Sequence, residues 1–180
     1  MLEQIIITEE LHNALIEASN SSNEYSGYLL GELTPEGVKL VNAAIGETAA
    51  NSASVNYIPK KYWDKVHAEP DKYALLSVHS HSVKFCDKIR WCDPFWSIKK
   101  EPKSPEEKRQ FIQVSGAETD DGDVVEALRQ KAGLEYALFV HPCFGSAGET
   151  MTKEKVQITA YKYDSSSVGK VKEIPLKIDE

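Results

Sequence analysis

The chain has 180 residues, 41% of them hydrophobic and 27% charged, the balance of an ordinary soluble globular domain. That length favours one domain over two. A net charge of −7 excludes broad, charge-driven binding to DNA or RNA, which requires a basic face. No run approaches the roughly 18 apolar residues of a membrane span, so no membrane partner is expected. The opening MLEQIIITEELHNAL has no basic leader region and does not read as a signal peptide. Cys86, Cys92 and Cys143 are too few, and odd in number, for a disulfide framework, so the expected setting is a reducing, cytoplasmic one.

In chain order, the β-branched run 4–7 predicts a short strand. Thr8 then stands as an N-cap before Glu9 and Glu10, and Leu11, Leu15 and Ile16 share one face of a helix over 9–19. Tyr25–Glu32 and Val38–Ile45 read as strands joined by the turn Thr34-Pro35-Glu36-Gly37, a hairpin. Pro59 opens a short helix to His67. Tyr73–Val78 is a continuous apolar run, as in a buried strand, and leads directly into His79-Ser80-His81.

From Val83 to Ala117 the composition shifts. Trp91, Trp96, Phe85, Phe95 and Phe111 fall there, and residues 84–109 carry eight basic against five acidic side chains. The segment reads as an insertion, a lid over substrate or a protein-docking surface. Stacking on single-stranded nucleic acid is the weaker reading, given the acidic whole. An acidic turn, 118–123, follows, and Asp123 can cap a helix over Val124–Lys131 that stops near Gly133. Tyr136–Val140 predicts another buried strand. Val156–Tyr163 and Lys170–Ile178 alternate as strands and are expected to pair as a terminal hairpin. The fold class is α+β: a curved, mixed sheet flanked by helices in one domain, 1–180, with the insertion 83–117.

His79 and His81 are the first candidates for chemistry. Residues i and i+2 of a strand share a face, so two imidazoles can converge on one metal ion. A catalytic zinc site also needs a third protein ligand, an open position and a carboxylate to take a proton from water. Asp123 and Glu24 are candidates, against the simpler readings of a helix cap and a solvated acid. Cys86 and Cys92 with the two histidines make a closed structural site as an alternative, with loose spacing. Cys143 beside His141 has no group to orient a base and reads as an ordinary thiol. His12 and His67 read as surface residues of helices.

Three motifs in order narrow this choice. Glu24-Tyr-Ser-Gly27-Tyr-Leu29-Leu-Gly31 resembles the E-x-x-G-x-L-x-G opening of the JAB/MPN family. His79-Ser80-His81 resembles its H-S/T-H, and Asp120-Asp121-Gly122-Asp123 its S-x-x-D. The resemblance spans about residues 4–163 and implies a JAMM-type zinc metallopeptidase. His79, His81 and Asp123 would bind Zn²⁺, a water would complete the tetrahedron, and Glu24 would act as general base. The metal is expected at one sheet edge. The implied substrate is a peptide or isopeptide bond beside the tail of a ubiquitin-like or sulfur-carrier protein. Two departures stand out. Asp120 occupies the place of the family's oxyanion-stabilising serine, and an ionised carboxylate cannot donate a hydrogen bond. His81 and Asp123 are also far apart in sequence, which leaves Asp93 and Glu107 as rival third ligands. The competing function is an MPN-like interaction module without catalysis.

Overall fold

The computed structural model describes residues 1–21, 24–47, 58–80, 133–142, 148–166 and 171–179. Among these are eight strands and two helices in one mixed α+β arrangement. They run β1 (Ile5–Thr8), α1 (Glu9–Ala18), β2 (Tyr25–Thr34), β3 (Gly37–Glu47), α2 (Lys60–Ala68), β4 (Tyr73–Ser80), β5 (Tyr136–His141), β6 (Gln157–Tyr163), β7 (Val171–Ile174) and β8 (Leu176–Asp179). All eight strands form one sheet in the order β7-β6-β5-β4-β2-β3-β1-β8. The expected helix over 124–131 and the insertion 83–117 lie outside the described residues.

The local reasons for these elements are those the residues supply. The Thr8 hydroxyl accepts from Leu11 N at 3.2 Å and caps α1, with Glu9 and Glu10 in its first turn. Pro59 precedes α2, as anticipated. β2 and β3 form the expected hairpin, and Gly37 sits at φ 139°, where a side chain would be strained. A Cβ there would also meet Gln4 O at 2.6 Å, so this glycine admits the close approach of the chain leading into β1.

The C-terminal reading is corrected. Residues 170–178 do not form one strand paired with β6; they divide into β7 and β8 at Pro175. Proline has no N–H for a ladder and a fixed φ, so a strand breaks there. β7 pairs with β6, whereas β8 pairs in parallel with β1 at the opposite edge. One residue therefore joins the two edges, and Ile5 N donates to Pro175 O at 2.9 Å across the seam. Glu3 reaches over it to Lys162 on β6 (2.8 Å) and Lys172 on β7 (3.0 Å). The sheet is nearly closed.

Each sheet face has its own core. One face joins Ile5, Ile7, Leu29, Val38, Leu76, Val78, Leu138 and Val140 with Leu15 and Ile16 of α1. The other packs Tyr28, Leu30, Tyr73 and Leu75 against Tyr62 of α2, with Ala137, Phe139 and Tyr161 beside them. Both faces of β4 and β5 are thus covered, which is why their sequences read as unbroken apolar runs.

Candidate functional site

β4 pairs antiparallel with β2 and parallel with β5. It is an interior strand of the sheet. His79 stands near the carboxyl end of β4, where the sheet changes from antiparallel to parallel pairing.

The register builds one row across four strands. Ser26 on β2 faces His79 on β4, His79 faces Phe139 on β5, and Phe139 faces Thr159 on β6. Cross-strand partners share a sheet face, so these four side chains project to the side of α2. The Phe139 ring stands edge-on to the His79 imidazole at 6.3 Å and packs on Tyr161 at 5.2 Å. An aromatic wall of this kind limits water around an imidazole and holds its orientation. In the next row, His141 of β5 faces Gln157 of β6, and His141 is only 2% exposed. Glu24 lies one residue ahead of β2 and two ahead of Ser26.

Ser80, the middle residue of His79-Ser80-His81, points to the opposite face and is buried. Its Oγ accepts a hydrogen bond from Tyr25 N at 2.8 Å. That bond ties the residue after Glu24 to the residue after His79. The Tyr25 phenol is anchored further, donating to Leu15 O at 3.0 Å, and burial holds its pKa well above the ordinary tyrosine range. The carboxylate and the imidazole thus belong to strand ends fastened to each other and to α1.

Of the expected site residues, Glu24 and His79 fall on neighbouring strand ends. His81, Asp120 and Asp123 lie outside the described residues, as do Asp93, Glu107, Cys86, Cys92 and Cys143. Among the described residues no group of three or more His, Cys, Asp or Glu side chains is placed to hold a metal ion. Of the expected ligands only His79 is described, and its imidazole is of the right chemistry for zinc. His67 is a surface residue, as expected, stacked on Trp63 at 4.2 Å. His12 is half-buried on α1, where it lines an open pocket of about 390 Å³ with Lys153, Glu154 and Glu173, and its Nδ1 is buried.

Ser26, Phe139 and Thr159 were not among the residues singled out from sequence, and His141 was considered only as a neighbour of Cys143. The signal that identifies them is parity along each strand combined with register. Parity alone is readable in Glu24-Tyr-Ser26 and Phe139-Val-His141; the register that aligns them is not.

No family model matches the chain, and no curated protein matches it. Among solved structures, the solution structure of protein DSY2949 from Desulfitobacterium hafniense aligns with 98% of this chain and 93% of that one, at 14% identity and a TM-score of 0.44. A likeness of that degree decides neither fold nor function.

Proposed function

We propose that the chain is a zinc-dependent metallopeptidase of the JAB/MPN type. It would hydrolyse a peptide or isopeptide bond beside the extended tail of a ubiquitin-like or sulfur-carrier protein. The observation that supports this most directly is the β2–β4 register, with Ser26 opposite His79 and Tyr25 N bonded to Ser80 Oγ. It brings the first two motifs, far apart in sequence, to adjacent strand ends. The curled mixed sheet, with one helix packed on each face, agrees with the same fold type.

In this reading His79, His81 and Asp123 hold the metal. Zinc, when bound, acidifies a water and polarises the scissile carbonyl. Glu24 would accept a proton from the attacking water as its oxygen adds to the carbonyl carbon. The C–N bond then breaks, Glu24 passes the proton to the leaving amine, and one water is consumed per bond cleaved. The Phe139 ring stands edge-on to the His79 imidazole and would help to hold its orientation. A reducing, cytoplasmic setting goes with three cysteines and a thiol-free ligand set.

The deciding experiment measures bound metal and cleavage together. Purified protein should contain one zinc per chain. Glu24→Gln should keep the metal and lose cleavage, and His79→Ala should lose both. A protein that lacks stoichiometric zinc and refuses it at neutral pH would overturn the proposal. A second reading, an MPN-like interaction module whose insertion 83–117 docks a protein, is favoured by Asp120 in the serine's place. Zinc bound without cleavage of any tail-bearing substrate would select it.

A further inference from the structure

The ladder between β6 and β7 ends early. Its register runs from Tyr163 opposite Val171 to Ala160 opposite Ile174, and its continuation would set Ile158 against Leu176. Those two do not pair, because past Pro175 the chain turns to β1 and Leu176 lies against Ile5. The start of β6 keeps β5 on one side only. A slit therefore opens in the sheet between β6 and β8. It is the open pocket of about 390 Å³ that His12 lines, with Ile158 on one wall and Leu176 and Ile178 on the other. Hydrogen bonds fix which backbone groups face it. Tyr163 N donates to Glu135 O at 2.7 Å, so alternate residues from Tyr163 back to Gln157 turn their N–H and C=O to β5, and Ile158 turns its own to the slit. Ile5 N donates to Pro175 O, so Pro175 and Lys177 face β1 while Leu176 and Ile178 face the slit. Among the described residues no strand pairs with these three on that side. Such an edge is a template for another strand.

Side chains along a strand alternate between the two faces of the sheet. Ile158 and Leu176 pack on the apolar face that α1 covers, and Ile178 shares the parity of Leu176 and is 40% exposed. Glu173 has the opposite parity and is exposed. Lys153 lies 3.7 Å from Glu9, so Glu154 and Glu173 set the charge of the slit. We propose that the slit binds an extended peptide of alternating apolar and basic residues as an added strand. The backbone groups of Ile158, Leu176 and Ile178 pair with the peptide, its apolar side chains continue the face that α1 covers, and its basic ones meet Glu173. The unpaired stretch 157–159 spans about 10 Å, room for roughly three residues of extended chain. This site does not rest on the metallopeptidase reading and needs no metal.

The test uses the full chain and a fluorescein-labelled peptide, Val-Lys-Val-Lys-Val, with affinity read by fluorescence anisotropy and backbone pairing by amide hydrogen exchange. The amides of Ile158, Leu176 and Ile178 should exchange freely in the protein alone and become protected when peptide is added. Methylating the valine nitrogens of the peptide, which removes the donors along one of its edges, should weaken binding about tenfold. Glu173→Lys, a change at an exposed position, should weaken binding of this peptide about threefold and favour Val-Glu-Val-Glu-Val by a similar factor. No binding at millimolar peptide, or binding that leaves the three amides unprotected and ignores N-methylation, overturns the proposal. Equal affinity of both peptides for the wild type and Glu173→Lys overturns the basic class. Amides already protected in the protein alone overturn the proposal too: protection that grows with protein concentration assigns the slit to a second copy, and protection independent of it shows that the chain fills its own slit.

Discussion

Ser80 and Gly31 show how single residues in the motifs act through packing rather than through chemistry. Ser80 is between two candidate ligands in sequence, yet its hydroxyl faces away from His79 and satisfies Tyr25 N–H in the core. Ser80→Ala leaves that N–H buried and unpaired, which should cost about 1–3 kcal/mol, measured by urea denaturation. Ser80→Thr tests whether the hydroxyl alone suffices. Gly31 closes the first motif, and it is needed for space. A Cβ there would stand 2.4 Å from Val38 Cγ1 and 3.0 Å from Leu76 Cδ1. Gly31→Ala should destabilise by about 1–3 kcal/mol through overpacking. Adding Val38→Ala should recover part of that loss, a coupling that a double-mutant cycle detects.

At the scale of elements, the seam between β7 and β8 concentrates the predictions. Glu3 binds two lysines from β6 and β7, and these contacts hold its carboxyl below the ordinary glutamate pKa. A lowered folded-state pKa contributes stability above the unfolded-state value, and that stability is lost as pH falls through the folded-state value. Glu3→Gln should therefore flatten the decline of melting temperature below about pH 4.5, where the wild type falls more steeply. The side chain is exposed, so added salt should shrink the difference. On α1, His12 has the opposite chemistry. Desolvation first, then Lys153, lowers its pKa. The unfolded chain then takes up the proton more readily as pH falls below the ordinary histidine value near 6.5. The wild type should lose stability from that pH downward, and His12→Asn should lose less over the same interval, by thermal melts at matched ionic strength.

At the scale of the molecule, the described strands form one sheet with its ends brought together. β8 covers β1, β7 covers β6, and Pro175 joins them. Ile174 is buried in the core that α1 shares. Truncation before β7 removes both covers at once and bares two sheet edges, so the shortened chain should lose cooperative melting and associate. The proposed metal gives a second global test. A ion that binds the folded state alone raises its stability with free concentration. Zinc should raise the melting temperature of the wild type, a chelator should reverse it, and His79→Ala should show neither effect. Among the described residues no helix is long and apolar enough to cross a membrane.

Local patterns determined most of the elements. The capped helix after β1, the hairpin turning at Gly37, the proline-started α2 and the buried strands β4 and β5 follow from residues close together in sequence, because capping, turn geometry and alternation act over a few positions. The split at Pro175 was readable in the same way, but the segment's alternation on both sides suggested one continuous strand. Which strands meet was decided only in three dimensions. Register depends on fitting two sheet faces at once, and no short window contains both partners. That is why Glu24 and His79 were legible as separate candidates, while Ser26 and Phe139, polar and apolar neighbours of His79, emerged only when β2, β4 and β5 lay side by side. The amino-acid sequence set the donors and their parity; tertiary pairing decided which of them share a place.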